Sequence, residues 1–239
     1  MARLFDGSND ILKRGAVIST ATDNYTLCCW IKLASIDSGE AFKNGVRAAG
    51  GGNGYSITTT TSGADRVLRH DLSFVANATG TTLLGTTNWH HAVAIRSSGT
   101  AYIYVDGAQE GGTTTSAPNT PATNASIGMA TDATGDTLPL NANIAECAMW
   151  DVALTDAEIA TLADGFSPLF VRPESLLVYV PLIGNNSPET DIVTSTTWAV
   201  TEATKADHPR IIYPYGDPTG ITKPSFEQVA KIIGHKAHK

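Results

Sequence analysis

Residues 88–107, NWHHAVAIRSSGTAYIYVDG, decide how the rest of the chain reads. Two runs of strict alternation flank a Ser97-Ser98-Gly99-Thr100 turn. In the first run Trp89, His91, Val93 and Ile95 point one way, and His90, Ala92, Ala94 and Arg96 point the other. In the second, Tyr102 and Tyr104 oppose Ala101, Ile103 and Val105. Asp106-Gly107 supplies the next tight turn, because glycine takes positive φ without a Cβ clash. Two strands and two turns start an antiparallel meander, and its apolar face needs a second layer to cover it.

Working outward, the same period marks residues 25–33, where Leu27, Cys29 and Ile31 alternate with Cys28 and Trp30. Further strands are expected over 55–58, 66–76 (with Val67, Leu72 and Phe74 as core), 126–129, 142–150, 176–182 and 196–200. The glycine-rich residues 45–54 read as a hairpin tip, and 111–126 and 131–140 as surface connections. One helix is well defined. Thr155 and Glu158 form a capping box, Leu154 and Ile159 a staple, and Gly165 the C-terminal stop.

Composition agrees with an all-β chain. Of 239 residues 42% are hydrophobic and only 16% charged, with threonine, serine and glycine filling the polar positions. A net charge of -7 argues against nucleic acid as a partner. No stretch is long and apolar enough for a membrane span, and residues 1–5 do not begin a signal peptide. Synthesis in a cytoplasm is the expectation. Cys28, Cys29 and Cys147 read as small buried hydrophobes rather than a disulfide framework.

The chemistry visible in the sequence is sparse. A retaining glycosidase needs two carboxyl groups about 5–5.5 Å apart, yet Glu146 is the only acid in 144–150. The expectation is therefore a protein that is not an enzyme, with no catalytic residues and no resident cofactor or metal. Calcium between the loop carboxylates Asp6, Asp10, Asp132 and Asp136 is the alternative, disfavoured because turn aspartates are usually solvated. His90 and His91 are adjacent on a strand and point to opposite faces, so they form no chelating pair. Trp30, Trp89, Trp150 and Trp198 could stack on sugars, but all lie in or beside strand-like runs, and core placement is favoured for Trp89 and Trp150.

From Asp207 the character changes. Pro209, Pro214 and Pro218 keep the chain extended, and a second capping box at Ser225 and Gln228 starts a short helix over 226–233. Residues 1–205 are expected to form the sandwich and 206–239 an arm. Ile211, Ile212, Tyr213, Tyr215, Phe226, Val229, Ile232 and Ile233 are its candidate partner-docking residues, since so short a helix needs a surface to dock on.

Three segments carry a resemblance: Leu4-Phe5-Asp6-Gly7-Ser8-Asn9-Asp10, the Trp89–Gly107 hairpin, and Ile144 to Ile159. Together they resemble laminin-G-like domains of the concanavalin A-like superfamily. That likeness implies a jelly-roll sandwich of two antiparallel sheets, with the short helix lying across the sandwich edge. Residues 151–159, Gly165-Phe166-Ser167-Pro168 and 206–214 are further similar to laminin-G-like proteins of tailed-phage virion gene clusters. This likeness implies a bacteriophage virion structural protein, a capsid decoration protein attached to the major capsid protein or another virion protein through its arm. Self-association is a further option. The alternative is a glycan-binding adhesin or tail-associated receptor-binding module, with a glycoside hydrolase ranking last.

Overall fold

The computed structural model describes residues 2–18, 23–47, 52–72, 76–114, 117–121, 123–132, 135–183 and 186–214. In chain order the first strands are β1 (Ala2–Asp6), β2 (Ile11–Arg14), β3 (Tyr25–Leu33), β4 (Glu40–Asn44), β5 (Tyr55–Ser62) and β6 (Asp65–Leu72). Then come β7 (Ala76–Thr79), β8 (His90–Ser97), β9 (Thr100–Val105), β10 (Ala108–Thr114), β11 (Ala125–Ile127) and β12 (Asn141–Trp150). Helix α1 (Asp156–Ala163) precedes β13 (Leu176–Val180), β14 (Glu189–Thr190), β15 (Thr197–Thr201) and β16 (Thr204–Ala206).

These strands make two antiparallel sheets, as expected for a jelly-roll sandwich. The first runs β10-β9-β8-β3-β12-β1-β16, with β13 on the far part of β12. The second runs β14-β15-β2-β11-β4-β5-β6-β7. Between them lie Phe5, Leu12, Leu27, Ile31, Phe42, Ile57, Ile127, Ile144 and Trp198, all closed to solvent. Tyr25 and Tyr55 stack across this layer with ring centroids 3.7 Å apart. Arg3 ties one pair of edges together, pairing with Glu189 at 2.9 Å and donating to the Ala203 carbonyl at 2.7 Å. At the opposite side Glu110 on β10 accepts from the backbone N–H groups of Thr81 and Thr82, just past β7.

The first sheet is covered on both faces. Ala92, Ala94, Ile103 and Val105 of the central hairpin face the second sheet. Val93, Ile95 and Tyr104 face a second core built with Trp150, Leu154, Ile159, Leu162, Leu169 and Tyr179. Val93 and Ile95 are thus buried on one face, as the alternation predicts. Trp89 sits just before β8 and is only half-buried. Helix α1 has the expected capping box, and it ends in a Schellman arrangement. Gly165 (φ +87°) donates to the Leu162 carbonyl and Phe166 to that of Thr161.

Six strands have no counterpart in the periodicity: β2, β4, β7, β10, β14 and β16. The long connection expected over 111–126 is in part strand, and the reason lies in the other sheet. A Cβ at Gly111 would stand 2.3 Å from the Thr79 carbonyl oxygen, so β10 and β7 can approach only through glycine. In β4, Glu40 and Lys43 are buried and charged, which breaks any apolar pattern. Among the described residues no helix is long and apolar enough to cross a membrane.

Candidate functional site

Strands β2, β11 and β4 lie side by side in the second sheet, with Arg14, Ala125 and Asn44 in register. The chain leaves β2 and β4, and enters β11, at the same end. Gly15 therefore follows β2 where Asn124 precedes β11 and Gly45 follows β4. Hydrogen bonds hold these exits in place. Gly45 N donates to the Asn124 carbonyl at 2.7 Å, Ile18 N to Asn44 Oδ1 at 2.9 Å, and Val46 N to Asn53 Oδ1 at 3.0 Å. Arg47 N reaches the Thr131 carbonyl at 2.7 Å, and Arg47 and Asp132 form a parallel bridge.

Between these exits an open cleft of about 690 Å³ is lined by Gly15, Ala16, Val17, Val46, Thr123, Asn124 and Asp132. Its volume falls within the roughly 300–1,000 Å³ of small-molecule sites. Ala16, Val17 and Val46 provide apolar wall. Thr123 and Asn124 both donate and accept, whereas Asp132 as a carboxylate only accepts. Of these residues only Asp132 stands out in the sequence. The others are ordinary loop residues, and the general tendency of binding sites to sit on loops at sheet ends is the signal that points to them.

A second cluster lies on the outer face of the first sheet. A bulge in β12, between Ala145 and Ala148, turns Glu146 to φ +57° and buries its carboxylate. Oε1 accepts from Tyr213 OH at 2.7 Å and stands 3.1 Å from His208 Nε2, while Oε2 accepts from Tyr179 OH. Burial, reinforced by the Glu146 charge, pushes both phenols up, so they remain donors. The gap beside this cluster, lined by Cys28, Trp30, His91, Glu146, Leu162, Phe166 and Pro168, is too narrow for a water molecule. Its chemistry is fastening. Tyr213 and His208 hold the segment after β16 against the sandwich, helped by Ile212 N donating to the Gly165 carbonyl and Ser167 N donating to that of Ile212.

That segment contains three of the candidate docking residues. Ile211 and Tyr213 are half-buried against the chain's own sandwich, and Ile212 is 40% exposed. Tyr215, Phe226, Val229, Ile232 and Ile233, with the helix expected over 226–233, lie outside the described residues.

The loop carboxylates do not act together. Asp10 accepts from Asp6 N at 2.8 Å within one turn, Asp136 pairs with Lys13, and Asp132 belongs to the cleft. Among the described residues no three His, Cys, Asp or Glu side chains come together as metal ligands. His90 Nδ1 meets Asp106 Oδ2 at 2.7 Å and its Nε2 lies 3.1 Å from the Leu84 carbonyl, whereas His91 is buried on the opposite face. Of the tryptophans, Trp150 and Trp198 are core, and Trp30 and Trp89 are half-buried.

Residues 6–160 match the family model described as the concanavalin A-like lectin/glucanases superfamily. Among curated proteins nothing matches the chain. Solved structures do. A putative carbohydrate binding protein from Bacteroides ovatus is 20% identical with a TM-score of 0.64, the match covering 88% of this chain and 61% of that one. The heptameric SAP-like pentraxin of Limulus polyphemus is 16% identical (TM-score 0.55), covering 68% of this chain and 81% of that one. Domain 4 of AbnA, an extracellular arabinanase of Geobacillus stearothermophilus solved with arabinotriose, is 17% identical (TM-score 0.51), covering 68% and 76%.

These findings correct two expectations. The virion, capsid-decoration reading is overturned: the similar structures are a carbohydrate-binding protein, a pentraxin and a glycosidase domain, and none of them is a phage protein. The expectation that the protein is not an enzyme is overturned as well. An arabinanase carries a domain of this fold, so the lack of a carboxylate pair on one strand does not place the chain outside glycoside hydrolases. The glycan-binding alternative fares better than either.

Proposed function

Because the chain belongs to the concanavalin A-like lectin/glucanases superfamily, we propose that it is a carbohydrate-binding domain whose site is the cleft at the exits of β2, β4 and β11. The observation that carries this reading is the lining. Thr123, Asn124 and Asp132 bring hydrogen-bonding groups to a lining that also includes the apolar Ala16, Val17 and Val46. A sugar ring has the matching character, with hydroxyl groups around its rim and C–H groups on its faces. Support also comes from the Bacteroides protein, named for carbohydrate binding, and from the arabinanase domain solved with a trisaccharide.

No aromatic side chain is among the described lining residues, so affinity must come from hydrogen bonds and shape. A weak site follows, with Kd on the order of 1 mM to 0.1 mM for a short oligosaccharide. The test is a glycan array followed by titration calorimetry on the best ligand. Asn124→Ala is expected to weaken binding about fivefold to tenfold, the effect of a net hydrogen bond of about 1 kcal/mol or slightly more. Equal binding by the variant and the parent, or no binding to any glycan, would refute the proposal.

A further inference from the structure

We infer that Cys29 and Cys147 are a disulfide-forming pair, closed when the chain folds in the presence of an oxidising small-molecule disulfide, and that Cys28 stays a free thiol. The bulge in β12 sets the pairing. Ala148 lies opposite Cys28 and Met149 opposite Leu27, so the same register carried one step back places Cys147 opposite Cys29. Facing residues of an antiparallel pair have Cα atoms about 4.5 or 5.5 Å apart, inside the roughly 4.4–6.8 Å that a disulfide spans. Both side chains enter the core between the sheets, where the next residues along the ladder are Ala92, opposite Cys29, and Val180, opposite Cys147. Cys28 belongs to the other face of the sheet. It sits in the second core, and its Sγ donates to the Glu146 carbonyl at 3.9 Å. Of the pairings open to these cysteines, only Cys29 with Cys147 joins thiols on one face.

All three thiols are free and buried in the structure. Burial pushes the Cys147 thiol well up, and the adjoining Cys29 thiol pushes it in the same direction. The thiolate that attacks a disulfide is therefore scarce in the folded protein, and both partners are closed to solvent. Closure belongs to folding, before the core is sealed. One cysteine thiolate attacks a sulfur of oxidised glutathione, forms a mixed disulfide and releases one glutathione thiolate. The second cysteine thiolate then attacks the protein sulfur of that mixed disulfide and displaces the other glutathione. Two electrons and two protons thus pass from the cysteines to give two molecules of reduced glutathione. In the sequence only the adjacent Cys28-Cys29 draws the eye, and the extra residue in β12 decides which of the two meets Cys147.

The experiment unfolds and reduces the full chain, then refolds it in equimolar oxidised and reduced glutathione, with refolding in excess dithiothreitol as the control. Acid-quenched, denatured samples are counted for thiols with a maleimide, and peptide maps made without reductant locate any bond. The expected product keeps one free thiol, Cys28, and links the peptides that hold Cys29 and Cys147. Cys28→Ala, which removes the competing neighbour, should give the same linkage and no free thiol. The folded, reduced protein placed in the same buffer is expected to oxidise about tenfold more slowly, or slower still, because its thiols are buried. Three free thiols after refolding in glutathione, or a map that links Cys28 to either other cysteine, overturn the pairing. Oxidation of the folded protein as fast as that of the refolding chain overturns the assignment of closure to folding.

Discussion

Between about pH 6.5 and pH 4 the protein is expected to lose several kcal/mol of folding stability through two buried histidines. His70 and His91 are both fully buried, and burial pushes their imidazoles down from the ordinary value of 6.5 to about 4. His70 is held neutral between Tyr25 OH at 3.0 Å and the Tyr102 carbonyl at 3.1 Å. The carbonyl requires a proton on Nδ1, which leaves Nε2 to accept from the phenol. His91 lies beneath Trp30, with ring centroids 5.2 Å apart, and its Nδ1 has no hydrogen-bond partner among the described residues. In the unfolded chain both rings take up protons below pH 6.5, while in the folded protein they do so only near pH 4. Stability is therefore whole above about 6.5, falls as the pH drops, and levels off once the folded rings titrate.

A gap of that size is worth about 3 kcal/mol per histidine, so two of them rival the roughly 5–15 kcal/mol of a typical domain. His90 has the opposite sign. Its hydrogen bond to Asp106 raises its pKa, so its contribution is full at acid pH and fades as the pH rises through the raised value. That site is half-exposed and its contribution is small. Unfolding free energies from urea titrations at half-unit steps of pH check the account. A flat curve from pH 7 to pH 4.5 contradicts it.

Trp150→Ala is the substitution expected to cost most, about 3–5 kcal/mol. Its ring is wholly enclosed in the second core with Val93, Ile95 and Leu169, and its Nε1 donates to the Val171 carbonyl at 2.8 Å. Truncation leaves both a cavity and an unpaired buried carbonyl. Trp89→Ala should cost only about 1 kcal/mol, because Trp89 is half-buried and outside β8. Urea midpoints of the two variants measure the difference. Equal losses would mean that the second core does not lie where the structure puts it.

The contrast between these tryptophans shows where sequence reading succeeds. Both were expected in the core. The Val93 and Ile95 alternation is a local signal, and so is the Thr155–Glu158 capping box, and both are present in the structure. Trp89 extends the same alternation by one step, but periodicity does not say where a strand begins. β10 was invisible because Gly111 is dictated by Thr79, on a strand of the other sheet. Glu146 read as an isolated strand acid. Its partners Tyr179, His208 and Tyr213 are up to 67 residues away, so its fastening role depends on tertiary structure alone.

The cleft was hidden for a related reason. Its walls come from residues near 15, 46, 124 and 132, which meet only because β2, β11 and β4 pair side by side. Gly, Ala, Val and Thr in loops carry no chemical signature. Asp132 stands out in the sequence only as one of four loop carboxylates, with Asp6, Asp10 and Asp136, that read as solvated turn residues, and the structure gives those three other hydrogen-bonding or ionic roles.

The central claim is that saccharides bind at the exits of β2, β4 and β11. Its most direct test is an amide-resolved NMR titration of the full chain with the best-binding oligosaccharide. The predicted result is a saturable set of shift changes centred on Gly15, Ala16, Val17, Val46, Thr123, Asn124 and Asp132. Changes centred instead on the outer face of the first sheet, around Trp30 and Glu146, would contradict it, as would a titration that moves no resonance.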